Sequence, residues 1–592
     1  MANIINLTRN NVDNSSVIND RVGVERYCDK DDKQQLSYNP FQMRDKSSTT
    51  TAIGALLHLM KSSLGTGILA MPNAFKNGGL IFGLFGTLAI GVLCAHCIYL
   101  LILCSQTLAR RIRRPALGFA DTAYVAINSG PRRFRAWSSV AKSFVNAALF
   151  CTYYFGNCVY VLLISTSFKQ VADNHTSPEW HFSIRTWILG LALPLLPLGV
   201  IRTLKVLVPL SAIATAFILV GLGCTITWVV TGISPFVDNK TLAASVALPD
   251  IGSRPWIAPI TQIPLFFATG VFAMEGIGTV LPIENSMRKP KYFLHGRPCG
   301  VLNFAMMITV PFYAAIGFLG YLRFGNTTEG SITLNLPNDL FSEIVKMLVT
   351  LSIIFSYGLQ FCVPSEIVWD SLEPWLRKYK QNAKYSTSTN SKVETDVVSN
   401  NDTINTVIST ASTMSYETIE RPEVELEQKE TPMNGAYYIM RAIMVIITFF
   451  IAAIVPNLAP VISLFGAVFF SILGLLCPAV IHLFTFWEQC DYWDGDDYEK
   501  SNDKKLNKQK YVTATFDDID LKHCDNLQEN NSKLAGETKG MSWLTVIKDC
   551  IIILFALFTL FAGAHASLVD IVAFYGSVDI IQAINSTAIP TI

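Results

Sequence analysis

Eleven stretches of this 592-residue chain are apolar over the length that a bilayer demands. They fall at about 52–75, 80–104, 139–168, 184–200, 205–231, 259–281, 300–322, 342–364, 436–456, 460–484 and 543–566. Roughly 20 helical residues cross the hydrocarbon, so each run has the length of a span. Lipid offers the backbone no hydrogen-bond partner, and a spanning run must therefore close its own amide–carbonyl ladder as a helix. The fold class expected is an all-α polytopic membrane protein with 11 transmembrane helices. Only 15% of residues are charged and the formal net charge is +1, which gives no footing for a nucleic acid or other polyanionic partner. The first fifty residues hold no apolar core, so no cleaved signal is expected.

Positive charge sets the expected orientation. Between the second and third runs lie Arg110, Arg111, Arg113, Arg114, Arg132, Arg133 and Arg135, opposed by Asp121. Arg202 and Lys205 follow the fourth run, and Arg288, Lys289, Lys291 and Arg297 follow the sixth, whereas the alternate loops are poor in Lys and Arg. The N-terminus is expected in the cytosol and, with an odd number of spans, the C-terminus outside or in a lumen. Domain boundaries follow: a disordered cytosolic tail over 1–50, a core over 51–484 with a disordered cytosolic insert at 373–434, a linker at 485–541, the eleventh span at 542–566, and an outer tail at 567–592. The polar segments lack a hydrophobic period and enough apolar surface to fold alone. Tyr38 and Tyr416 each precede a bulky apolar residue by three positions, a short pattern that a sorting or nutrient-signalling partner could read. The sequons at Asn174, Asn239 and Asn326 fall on the expected outside and are candidate glycosylation sites. Outer loops carry no cysteine, and no Cys or His spacing suggests a metal.

Two of the runs are not good helices. His58 to Pro72 reads HLMKSSLGTGILAMP, and Gly65-Thr66-Gly67 interrupts it at the depth where a span should be most regular. Glycine costs about 1 kcal/mol at a helix-interior position relative to alanine, and irregular backbone survives at membrane depth only inside protein or beside a cavity. The sixth run, Pro264 to Asn285, again holds mid-span glycines, Gly270, Gly276 and Gly278, and adds Glu275. An ionisable residue in a span costs about 2.5–3.5 kcal/mol on insertion scales and usually faces a polar cavity. Runs one and six each open a group of five, the pattern of an inverted five-plus-five repeat with its site at the matched breaks. A kink or a close helix contact would also account for either break alone. Asn146, Tyr153 and Asn157 share one face of the third run, and Ser352, Ser356 and Gln360 repeat every four residues in the eighth. Asn146, Tyr153, Asn157 and Ser356 are candidates to line a path; interhelical hydrogen bonding is the alternative.

The residues carry a resemblance. The motif His58 to Pro72, the stretch Phe272-Ala-Met-Glu-Gly-Ile-Gly-Thr-Val-Leu-Pro-Ile-Glu-Asn285, the second run around His96 and Cys97, and Pro456-Asn-Leu458 with Ser463-Leu-Phe-Gly466 and Pro478 resemble the proton-coupled amino acid transporters of the amino acid/auxin permease superfamily. The likeness covers roughly 50–370 and 436–484. It implies a LeuT-like 5+5 inverted repeat, with the eleventh helix outside the repeat, and symport of small neutral amino acids with protons. It also implies a proton-coupling role for His58, and imidazole is the side chain whose charge changes most readily near physiological pH. Two departures stand out: Met274 replaces the usual aromatic, and the outer-loop cysteine pair is missing.

On this reading, substrate sits between runs one and six. Amides at Gly65, Thr66 and Gly67 would hold its carboxylate, with Ser63 and the Thr66 hydroxyl beside them and a half-helix dipole adding attraction. Carbonyls from Phe272 to Gly276 would meet the amine, while Phe272 and Met274 shape the side-chain pocket. Glu275 is the expected internal carboxylate whose protonation accompanies binding. No catalytic constellation and no phosphate-binding GxxxxGK[ST] loop is present, so the chain is not expected to be an enzyme or ATP-driven, and no cofactor or metal is expected beyond the coupling proton. Alternatives are a sodium-coupled carrier of the same superfamily and an amino-acid receptor with little flux. The expected location is the plasma membrane, the late endosome or the lysosome.

Overall fold

The structure, a computed structural model, describes residues 40–41, 43–44, 50–63, 65–201, 204–233, 248–274, 276–295, 300–393, 434–454, 457–487 and 543–587. Among these the chain is helical throughout, with one isolated parallel bridge between Thr50 and Met287. Nine helices are long and apolar enough to cross a membrane, and a bent pair over 52–78 makes a tenth. The fourth expected span, Ile184–Val200, is a 17-residue helix with Pro194 and Pro197 inside it. At 1.5 Å per residue it reaches about 25 Å, short of a hydrocarbon core about 30 Å thick.

The described helices, in order, are α1 (Ala52–Ser63), α2 (Met71–Gly78), α3 (Leu80–Arg111), α4 (Phe119–Asn128), α5 (Ser138–His175), α6 (Ile184–Val200), α7 (Leu204–Thr231), α8 (Ile263–Ala273), α9 (Ile277–Asn285), α10 (Val301–Phe324), α11 (Leu340–Val393), α12 (Asn434–Ile454), α13 (Leu458–Phe465), α14 (Cys477–Thr485), α15 (Trp543–Phe558) and α16 (Ala564–Thr587). Two π segments, Gly466–Phe470 and Ile472–Leu476, join α13 to α14, and a third, Thr559–Gly563, joins α15 to α16.

The chain divides into two compact units. One comprises 1–149, 225–336 and 458–592; the other comprises 150–224 and 337–457. Within the first, packing follows the membrane rule that small residues let helices close up where lipid supplies no hydrophobic drive. The Phe75 ring of α2 is fully buried, and it lies against Gly83 of α3 and Gly317 of α10. Within the second, α6 packs on α12. Arg441, fully buried, donates to Gly199 O at 2.9 Å and to the Tyr437 hydroxyl at 2.9 Å, and lies over the Phe361 ring. Its charge thus meets carbonyls at the C-terminal end of α6, where a cation is favoured.

Parts of the insert and of the N-terminal tail, both expected to lack structure, are helical or docked, and the outer tail begins as helix. α11 continues through Val393, into the 373–434 insert, because a long apolar helix already supplies the costly nucleus and Arg377 pairs with Glu373 one turn away at 2.9 Å. α16 carries helix from Ala564 through Thr587, across most of the 567–592 tail. In the N-terminal tail, Pro40, Phe41, Met43, Arg44 and Thr50 are described; Arg44 and Thr50 are bonded to the first unit.

Candidate functional site

The first break turns the chain. α1 ends at Ser63, Gly65 is extended at φ −85° and ψ −156°, and a 3-10 turn over Thr66–Ala70 leads into α2. The two arms meet at 42°. The first three amides of a 3-10 turn have no acceptor within it, which is the position of Gly65, Thr66 and Gly67. The Thr66 hydroxyl is buried and, among the described residues, without a hydrogen-bond partner.

The second break interrupts the helical ladder of the sixth run. α8 ends at Ala273, Met274 takes φ −78° and ψ 24°, and Gly276 takes φ 153° before α9 begins. That last conformation is one a side chain resists. Thr279 closes the new helix start, its amide and hydroxyl both donating to Gly276 O, at 3.1 and 2.9 Å. Glu275 lies outside the described residues.

The breaks meet. A methyl group on Gly67 would stand 2.6 Å from Ala273 Cα, so only glycine permits the approach. The Ser62 and Thr279 hydroxyls are hydrogen-bonded to one another, and the Tyr313 hydroxyl of α10 donates to Ser63 O. Ser63, Thr66, Gly67, Phe272, Met274 and Gly276 are all buried, and Gly65 partly so. Phe272 packs edge-on to Phe470 at 5.3 Å. Beside Met274 lies a cavity of about 10 Å³, bounded also by Cys94, Ile98, Ile277, Phe470 and Gly474. That is about the room one water needs, and no amino acid fits without the walls parting.

An ion pair closes one end of this unit. Arg44 meets both Glu284 carboxylate oxygens at 3.3 Å and donates to Glu284 O at 3.1 Å and to Pro115 O at 2.9 Å. Gln106 of α3 donates to the same carboxylate at 2.9 Å. The Phe41 ring lies between the Arg44 and Arg110 guanidiniums, 5.3 and 5.2 Å from its centroid. Thr50 adds backbone bonds to Ser286 at 2.8 Å and Arg288 at 3.0 Å.

Other expected residues stand elsewhere. His58 is exposed on α1, more than a turn before the break, and no described hydrogen bond joins it to the site. Asn146 belongs to the first unit and is half-buried, while Tyr153, Asn157 and Ser356 belong to the second. Asn157 is fully buried and donates to Tyr153 O at 2.8 Å, its own carbonyl unpaired. Asn326 is exposed; Asn174 is exposed and hydrogen-bonds Glu343; Asn239 lies outside the described residues. Sequence reasoning missed Arg44, Gln106, Tyr313 and Phe470. Glu284 was the available signal for the first two, since a carboxylate that deep needs partners.

Comparison with known proteins bears on this geometry. Residues 48–494 match the family described as transmembrane amino acid transporter protein. The chain is 35% identical over 453 residues to the proton-coupled amino acid transporter-like protein pathetic of Drosophila melanogaster, covering 76% of this chain and 80% of that one. It is 26% identical over 357 residues to vacuolar amino acid transporter 4 of Saccharomyces cerevisiae, covering 59% of this chain and 45% of that one.

Proposed function

The chain belongs to the transmembrane amino acid transporter protein family, and from that premise we propose that it moves small neutral amino acids together with protons by alternating access. The observation that carries this reading is the meeting of two helix breaks, Gly65–Gly67 and Met274–Gly276, inside one unit. Backbone freed from a helical ladder at membrane depth is what a zwitterion needs: amides for its carboxylate, carbonyls for its amine. Gly65, Thr66 and Gly67 supply the amides and the Thr66 hydroxyl adds a donor. The carbonyls come from Phe272 to Gly276. Phe272 and Met274 bound the side-chain space.

In this mechanism the structure is a closed form. Substrate enters when α1 and α8 part on one side, and leaves when the Arg44–Glu284 contact opens on the other. Glu275 and His58 are the proposed proton carriers of the LeuT-like repeat, with the N-terminus in the cytosol. The proton in the printed name of the fly relative supports the choice of coupling ion. The yeast relative is named for a vacuolar membrane, which supports an acidic organelle alongside the plasma membrane as the place of work.

The test is current in voltage-clamped cells given glycine, alanine or proline at pH 5.5 and 7.5 without sodium. Inward current that grows at the acidic pH is expected. Current only when sodium is restored would overturn proton coupling, and no current from protein shown at the surface would overturn electrogenic symport.

A further inference from the structure

Buried charge occurs a second time in the first unit, away from the breaks. His482 of α14 meets Asp549 of α15, Nδ1 to Oδ2, at 2.5 Å, with the side chains 7% and 0% exposed. A carboxylate only accepts, so the imidazole Nδ1 donates and Nε2 is left to take a proton. The second oxygen, Asp549 Oδ1, accepts no hydrogen bond among the described residues; the Lys548 ammonium stands 3.3 Å from it, its side chain 37% exposed. Across from the pair, on α3, His96 Nε2 is buried with no described partner. Lys548, Asp549 and His482 are the charged groups that His96 feels.

The surroundings are otherwise sparse in charge. From α3 come Cys97 and Cys104, both buried, and Arg111, which donates to Thr485 O at 2.8 Å. From α4 come Tyr124 and Asp121, the latter paired with Lys142 at 3.1 Å. The π segments that adjoin the pair carry no titratable side chain.

We propose that His482 and Asp549 form a proton-binding site of the transporter, with Lys548 and His96 as its flanking charges. The inference rests on the transport reading above and adds a second place where the coupled proton resides. Without the proton, neutral imidazole and carboxylate carry one negative charge, which Lys548 offsets. With it, imidazolium and carboxylate form a neutral pair. The proton comes from one aqueous side and returns to the other, so nothing else is consumed.

Two features argue for this over a plain clamp between α14 and α15. A clamp needs only neutral amides, whereas ionisable groups in a span are costly and mark ion pathways. This one also leaves His96 Nε2 without a hydrogen bond among the described residues and gives Asp549 Oδ1 only the half-exposed Lys548 ammonium, whereas a purely structural network fills its buried polar atoms. The helices that carry it also reach the substrate breaks. Cys94 and Ile98, on either side of His96, line the cavity at Met274, as do Phe470 and Gly474 on the run into α14. Between Phe470 and His482 lies a π segment, a helical irregularity common at functional sites. Parting of the cavity walls would therefore move the two helices that hold the pair's environment.

The test uses the full chain in liposomes, with two readouts. Alanine counterflow at equal pH on both sides needs no net proton movement, while alanine-driven acidification of the lumen does. Asp549→Asn and His482→Gln are expected to keep counterflow within about twofold and to lose about tenfold or more of the acidification, the scale of a typical coupling free energy. They should also flatten the pH profile of uptake. Variants with counterflow, acidification and pH profile all at wild-type level would overturn the proposal and leave a structural clamp. Should Asp549→Asn fail to assemble, Asp549→Glu keeps the charge on a longer arm and is expected to shift the pH profile; an unshifted profile overturns the proposal equally. A wild type with counterflow but no acidification defeats proton coupling and this site with it. A wild type with no counterflow defeats the transport reading itself.

Discussion

The two breaks solve one problem in opposite ways. The first bends the chain by 42° and fills its break with a 3-10 segment over Thr66–Ala70. The second has no 3-10 segment and concentrates its irregularity on Met274 and one positive φ at Gly276. One break is bridged by a tighter helix and the other by a glycine conformation. Small residues at the first are there for approach, since Gly67 presses on Ala273. At the second, glycine is there for conformation. Mutations should separate these two causes.

Gly67→Val should have the largest effect. Its side chain would overlap the Ala273 backbone, which cannot swing aside as a flexible side chain can, so the two breaks could not meet; uptake is expected to vanish. Surface labelling together with flux would check this, and retained uptake would mean that the breaks stand further apart. Arg44→Gln comes next, because removing one partner of a buried pair costs about 3–5 kcal/mol. A lower melting temperature is expected, restored in large part by adding Glu284→Gln, which removes the stranded charge; no rescue would make the tail contact incidental. Gly276→Ala should cost about 1–3 kcal/mol, the scale for a residue held in a sparsely populated backbone region. Its added methyl would lie 3.3 Å from the Ser63 hydroxyl, so a fall in uptake of roughly tenfold is expected. Thr66→Val is the smallest for stability and the sharpest for function. The hydroxyl has no described partner, so an isosteric methyl should leave the melting temperature unchanged or raise it. Uptake should still fall several-fold if the hydroxyl meets substrate. Stability lost with uptake kept would instead make Thr66 interhelical glue.

The second unit offers a contrast in how a charge is buried. Arg441 is enclosed by the C-terminal end of α6, the Tyr437 phenol and the Phe361 ring. Asp549, buried as deeply, keeps one oxygen without a hydrogen bond. Arg441 is met by neutral groups of the protein interior, whereas Asp549 is met by an imidazole and by an ammonium that reaches the surface.

Most of the fold was legible because lipid enforces a local rule. A run of about 20 apolar residues must be helix, whatever its neighbours. Breaks were legible for the same reason: Gly65, Gly67 and Gly276 violate that rule where it is strictest. The sequence alone therefore determined the helices, their interruptions and the family likeness, while contacts at the meeting of α1 and α8 such as Ser62 with Thr279 and Ser63 with Tyr313 came only with the structure. The run at 184–200 is helical as expected, but its 17 residues and two prolines leave it at the short limit for a span. Partners were a matter for tertiary structure. Arg44 and Glu284 lie 240 positions apart, Ser63 and Tyr313 lie 250 apart, and His482 and Asp549 lie 67 apart. No local period links such pairs. Only packing decides which buried charge meets which, because the cost of burying each is set by whatever the fold brings within about 3 Å.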